Sequence, residues 1–227
     1  MTYIATTLQK VHERIANAAR ACGRDPQDIA LLAVSKTKPV AMIREAHAAG
    51  QLAFGENYLQ DALPKIAELQ ALDLEWHYIG RIQSNKTKDI AQHFAWVHGI
   101  DKLKHAQRLS NQRPDTLPPL QCCIQVNLSH EDSKGGVDAD QALQLAQEVA
   151  AMPNLRLRGL MTMPDPGSTR DEQAEVFSRL AALKENINAQ GLTLDTLSMG
   201  MSGDLELAIA AGSTMVRVGT DIFGARN

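Results

Sequence analysis

No GxGxxG follows the first β-rich run, no HExxH or comparable spacing joins the seven histidines, and no CxxC joins the three cysteines. The first absence lowers the case for an open dinucleotide-binding sheet; the histidine spacing gives no reason to assign a metal. Cys22, Cys122 and Cys123 are odd in number, and the adjacent pair would point to opposite faces of a strand. They read as reduced thiols of a cytoplasmic protein. No apolar stretch approaches the roughly 20 residues that span a bilayer, so no membrane segment is expected. A signal-like start is also missing: Ile4, Leu8, Val11 and Ile15 recur at helical spacing instead. Nor is there an excess of basic charge. With 23 Lys and Arg against 26 Asp and Glu, the formal net charge is -3, and no basic stripe faces a nucleic-acid backbone. The run SNKTKD (Ser84 to Asp89) reads equally as a solvated helix start or an anion site. Repeats and low-complexity tracts are absent.

What is present is a chain of 227 residues, 44% hydrophobic, able to bury a substantial core as one α/β barrel or two small domains. After an amphipathic helix stopping near Cys22 and Gly23, β-rich runs alternate with helical patterns. The strands are read at Ile29 to Lys36, Leu52 to Glu56, Glu75 to Gly80, Ala95 to Ile100, Leu120 to Leu128, Arg156 to Met163, Thr196 to Gly200 and Thr214 to Gly219. Helices between them include Val40 to Ala49, Ala139 to Ala151 and Asp204 to Ala211, each closed by Gly or Pro. Asn111 to Leu120 reads as a loop. Eight such units fit a (β/α)8 TIM barrel with an extra N-terminal helix, a single domain over residues 1–227. A doubly wound open sheet would show the same alternation.

Barrel chemistry sits at the carboxyl ends of the strands, and Lys36 ends the first. It shares parity with Leu32 and Val34, so if these line the lumen it projects into the mouth. An ordinary solvated lysine is the plainer alternative. Gly200 to Gly203 turn into a helix, where free backbone N–H groups can take a phosphate; Ser202 can equally be the N-cap. Val218 to Asp221 offers the second half of a phosphate cradle. Arg217 shares a face with Met215 and Gly219 and needs a partner inside a barrel: Glu56, Asp221, or the ring nitrogen of a cofactor. Asn57 can reach a bound ring or cap the following helix. His77 can line the lumen or be structural. Met161 can cover one face of a ring or simply pack. A lysine, a phosphate cradle and a facing arginine together suit an aldehyde cofactor carrying a phosphate, and pyridoxal 5'-phosphate (PLP) fits that description.

The segments LLAVSKTKP, FGENYLQD, LEWHYIGRIQSNKTK, VHGIDKL, QVNLSHEDSKGG, LRGLMTMP, LSMGMSGDLELAIAAGSTMVRVGT and IFGARN together resemble the pyridoxal phosphate homeostasis protein family, small proteins similar to the N-terminal barrel of alanine racemase. The resemblance implies a (β/α)8 barrel with PLP held as a Schiff base on Lys36. It places phosphate on Ser202, Gly219 and Thr220, the ring nitrogen at Arg217, and Asn57 near the Schiff base. It further implies a role in vitamin B6 and amino-acid balance, without established catalysis. Arg81 stands at the variable place of IGxxQSNK, and with Asn227 directly after IFGAR, contacts of the kind a longer C-terminus would make are not expected.

The residues themselves favour a carrier over a racemase, because proton transfer at both faces of a carbon needs two placed acid/base groups. Lys36 can be one; Tyr58 and Tyr78 lie near plausible site loops but lack an obvious activator. The expectation is a monomer that binds PLP, serves apo PLP-dependent enzymes, and is not itself an enzyme. A racemase with an unidentified second base, or a barrel aldolase using Lys36 on a phosphorylated sugar, are the alternatives.

Overall fold

The computed structural model describes residues 2–129 and 135–225. Part of QVNLSHEDSKGG and the final Arg226 and Asn227, with the expectation attached to the chain's end, lie outside the described residues.

Eight strands form one closed parallel barrel in sequential order: β1 (Ala30–Val34), β2 (Ala53–Glu56), β3 (Glu75–Tyr78), β4 (Trp96–Ile100), β5 (Leu120–Gln125), β6 (Leu155–Met161), β7 (Thr196–Ser198) and β8 (Met215–Val218). Closure runs through β1 and β8, where Leu32 faces Arg217 and Ala33 faces Val218. Helices α2 (Val40–Ala48), α3 (Leu59–Glu68), α4 (Thr87–His93), α5 (Leu103–Gln112), α6 (Ala139–Ala150), α7 (Arg170–Ala189), α8 (Leu205–Ala210) and α9 (Thr220–Phe223) follow the strands in turn, and α1 (Tyr3–Ala21) precedes them. The open-sheet alternative is thereby excluded.

The pleat sorts the side chains. Leu31 and Ala33 join the main core between barrel and helices, whereas Leu32 joins Trp96, Cys123, Met161 and Met215 in a separate cluster inside the barrel. Both faces of β1 are buried, so ALLAV reads as an unbroken apolar run. Cys122 packs outward and Cys123 inward across a register shift in β5. Thr2 caps α1 by accepting from the Ala5 amide, and Ile4, Leu8, Val11, Ile15 and Ala19 bury its apolar stripe against α2, α8 and α9. The same helix carries Arg14, which pairs with Glu206 at 2.8 Å and with Asp221 and bonds the Ser202 carbonyl at 3.1 Å. It thus ties the loops after β7 and β8 together.

The strands are shorter than the sequence runs at their carboxyl ends. β1 stops at Val34, and Ser35 begins a β-turn closed by the Lys38 amide on the Ser35 carbonyl at 3.0 Å. Thr37 occupies the left-handed region at φ 64°. Lys36 is therefore a turn residue set on the strand's end.

Candidate functional site

A cavity of about 410 Å³ opens at the carboxyl ends of the strands, within the size range of small-molecule sites. Lys36, Asn57, Met161, Ser202, Arg217, Gly219 and Thr220, drawn from the ends of β1, β2, β6, β7 and β8, all line it. So do Lys38, Ile79, Arg81, Met163 and Met201, which the motif reading did not nominate. Arg81 carries no signal of its own in the sequence. Met163 was foreseeable, two residues beyond Met161 on the same face.

Val34 and Lys36 both line the cavity, although Lys36 stands beyond the last residue of β1, where strand parity no longer applies. Below Lys36, Ser35 donates to the Glu56 carboxylate at 2.6 Å, and Lys65 of α3 bonds both that carboxylate at 2.8 Å and the Ser35 carbonyl at 3.0 Å. The turn that presents Lys36 is anchored from beneath by a buried ion pair. Lys38 is engaged elsewhere, donating to the Ala225 carbonyl at 2.7 Å.

Arg217 is buried, yet it pairs with neither Glu56 nor Asp221, contrary to the ion-pair expectation. Those carboxylates are held by Lys65 and Arg14. Its Nη1 donates to the Ser198 carbonyl and to Ser198 Oγ, and its Nη2 to the Thr162 carbonyl at 2.9 Å. Strand-end carbonyls thus take the place of a counter-ion. Nε and one Nη2 hydrogen carry no bond among the described residues. Burial lowers the Arg217 guanidinium to about 10, opposed by the charge of Asp204, so it remains a cation at neutral pH.

Ser202 is not the N-cap of α8. Asp204 holds that position, and its carboxylate accepts from the Met201 amide; burial raises its pKa against that bond and the Arg217 charge. Ser202 is thereby left on the cavity wall. The amides of Ser202, Gly203 and Thr220 make no hydrogen bond among the described residues, so three N–H donors stand at the two loops that Arg14 braces. Gly219 belongs there sterically, since a Cβ on it would sit 3.1 Å from the Val34 carbonyl oxygen.

Asn57 does not cap α3, whose N-cap is Tyr58; its Oδ1 is buried at the cavity with no partner among the described residues. A buried acceptor left so is costly unless a ligand satisfies it. These features fit an anionic ring compound: free amides for a phosphate, an unsatisfied amide oxygen, a cationic donor on the floor, and the thioether of Met161 beside them. His77 lines the barrel interior below the cavity, bonded to His98 and Glu75. Tyr58 is exposed and Tyr78 donates to the Arg81 carbonyl at 3.2 Å; neither lines the cavity. Among the described residues no group of three or more His, Cys, Asp or Glu side chains is placed to hold a metal, and no helix is long and apolar enough to cross a membrane.

The fold has close counterparts. PipY from Synechococcus elongatus superposes with a TM-score of 0.89 without PLP and 0.85 with PLP bound, at 37% identity, covering 97% of this chain and 100% of that one. An alanine racemase from Clostridium difficile shares the fold alone, with a TM-score of 0.71 at 13% identity over 95% of this chain and 56% of its own. The pyridoxal phosphate homeostasis protein of Pseudomonas aeruginosa is 59% identical over 227 residues, spanning 100% of this chain and 97% of that relative. The family model described as alanine racemase, N-terminal domain, matches residues 7–227. The chain therefore belongs to the pyridoxal phosphate homeostasis proteins, within the alanine racemase N-terminal domain family.

Proposed function

We propose that this chain, acting as one barrel domain, holds PLP in the cavity at the carboxyl ends of its strands and carries or buffers it in vitamin B6 and amino-acid homeostasis. The observation that carries this reading is convergence: seven residues nominated from five strand ends line a single cavity. Relatives named for pyridoxal phosphate homeostasis, and a 37% identical neighbour solved with PLP, point the same way. Lys36 is the amine that would hold the aldehyde as a Schiff base. Ser202, Gly219 and Thr220 would take the phosphate, Arg217 the ring nitrogen and Asn57 the ring's phenolic oxygen, with Met161 against one face.

When bound, PLP supplies an electrophilic aldehyde and a ring able to take up electron density. The residues around it limit that use. A guanidinium donating to the ring nitrogen keeps a proton off it and weakens the electron sink. A second acid/base group opposite Lys36 is the requirement of a racemase, and the two candidate tyrosines stand outside the cavity, with burial raising the Tyr78 hydroxyl. Both features favour binding and release over turnover, with apo PLP-dependent enzymes as recipients. Its buried thiols suit the reducing cytoplasm, and the reading needs only a monomer.

The test is the visible absorption spectrum of the purified protein beside Lys36→Ala, followed by borohydride reduction and peptide mass mapping. A yellow wild type with the label on Lys36 and a colourless variant are expected. A wild type that stays colourless with added PLP overturns the cofactor assignment. Robust amino-acid turnover abolished by Lys36→Ala would instead establish an enzyme.

A further inference from the structure

Beneath the cavity a row of side chains crosses the barrel interior and ends on Arg217. Glu75 opens β3 with its side chain 44% exposed, and its Oε1 lies 2.8 Å from His77 Nε2. His77 Nδ1 lies 2.9 Å from His98 Nε2, and His98 Nδ1 lies 2.8 Å from Ser198 Oγ. Ser198 Oγ in turn accepts from Arg217 Nη1 at 2.7 Å. The pleat explains the alignment: Glu75 and His77 share one face of β3, His98 stands beside them on β4, and Ser198 on β7 receives the row across the lumen.

The ends of this row fix its interior. A guanidinium only donates and a carboxylate only accepts, so Ser198 Oγ accepts at one end and His77 Nε2 must carry its proton at the other. A neutral imidazole has a single N–H. His77 Nδ1 is therefore an acceptor, which requires the proton of His98 on Nε2. His98 Nδ1 is then also an acceptor, and the Ser198 hydroxyl donates to it. Every link points from guanidinium to carboxylate. The reverse order sets a lone pair of His77 against a carboxylate lone pair and fails at Glu75.

The surroundings keep both rings neutral. Burial lowers the pKa of His77 against the opposing pull of Glu75, and for His98 burial is joined by the Arg217 charge. The His77 bond and the Arg158 charge hold Glu75 in its carboxylate form. Trp96 stacks on His77 at 5.3 Å between ring centres, with Arg158 over its own ring at 5.0 Å, and Asp204 and Cys123 are the remaining titratable groups acting on Arg217.

We propose that Glu75, His77, His98 and Ser198 are positioning residues for Arg217, a one-way hydrogen-bond relay whose direction is set by the Glu75 carboxylate at the opposite end of the barrel. It rests on the PLP reading only in its last step, where Arg217 meets the ring nitrogen; the tautomers belong to the protein alone. Through it, the state of a partly exposed carboxylate reaches the floor of the cavity.

The experiment is long-range 1H–15N NMR of the full chain labelled with 15N-histidine, without and with added PLP, His77 and His98 being assigned by His→Gln substitution. Both are expected as neutral Nε2–H tautomers from pH 6 to 8. Glu75→Gln keeps an acceptor and retains them. Glu75→Leu loses the single-tautomer signature of His98 and, in the PLP-loaded protein, shifts the visible band. An Nδ1–H or charged His98 in the wild type overturns the relay, and so does a His98 unchanged by Glu75→Leu. The wild-type spectrum alone decides should a variant fail to fold. A colourless protein with both Nε2–H tautomers would sink the cofactor reading and leave the relay standing, whereas a coloured protein with the wrong tautomer would sink only the relay.

Discussion

Cys122 and Cys123 are neighbours in sequence, yet the pleat gives them different surroundings and the same chemistry. Both are fully buried, and burial pushes the Cys123 thiol up to about 12 and Cys122 well above its ordinary value. Since only the thiolate reacts, a thiol reagent at pH 8 should label exposed Cys22 quickly and the other two only on unfolding. Fast reaction of all three in the folded protein would contradict the packing of β5. Gly80 makes a residue-scale case at the site itself. A Cβ there would lie 2.1 Å from the Asn57 carbonyl oxygen, a backbone atom that no rotamer change can move. Gly80→Ala should cost about 1–3 kcal/mol as overpacking and displace Asn57, weakening PLP binding. Urea denaturation and a PLP titration check both; an Ala variant equal to wild type in each would show that the β2 and β3 ends adjust freely.

At the scale of elements, the anchor beneath Lys36 is the triad of Ser35, Glu56 and Lys65. The Glu56 side chain is fully buried and Lys65 is 9% exposed, so Lys65→Met strands a charge and should cost about 3–5 kcal/mol. The Lys65→Met, Glu56→Gln double variant removes both charges and should recover much of that loss. Equal destabilisation of single and double variants, measured in urea, would mean that α3 packing rather than the pair is responsible. All eight strands were legible as short apolar runs between helical periods. Their ends were not: the run read as far as Lys36 stops pairing at Val34, and the left-handed Thr37 that turns the chain has no glycine to announce it. The cap of α8 stayed open in the sequence because Ser202 and Asp204 are both good N-caps; the folded chain shows that Asp204 takes the role and leaves Ser202 to the cavity.

Over the whole molecule, the seven residues nominated to hold the cofactor stand at one mouth of the barrel, because chemistry-bearing residues at strand ends must converge once a parallel barrel closes. What the sequence concealed is what bridges distant elements: Arg14 between α1 and the loops after β7 and β8, and the Glu75-to-Arg217 row through the lumen. Neither has a motif, since their partners lie far apart in the chain. The row makes global stability depend on pH, with a definite sign. His77 and His98 have folded pKa values below the ordinary 6.5, with burial as the main cause, and half-buried His12 is lowered for the same reason. Between the folded and unfolded values the unfolded chain binds more protons, so stability rises with pH there. It is present in full above pH 6.5 and is lost as pH falls below it, by up to about 1.4 kcal/mol per pH unit for each fully buried histidine. Carboxylates titrate mainly lower, so urea midpoints from pH 7.5 down to 5.5 isolate the histidines. His98→Gln should flatten that slope, because one proton-linked group is gone. A wild-type stability that stays level across the interval would mean the rings accept protons inside the folded barrel, which the guanidinium-to-carboxylate order forbids.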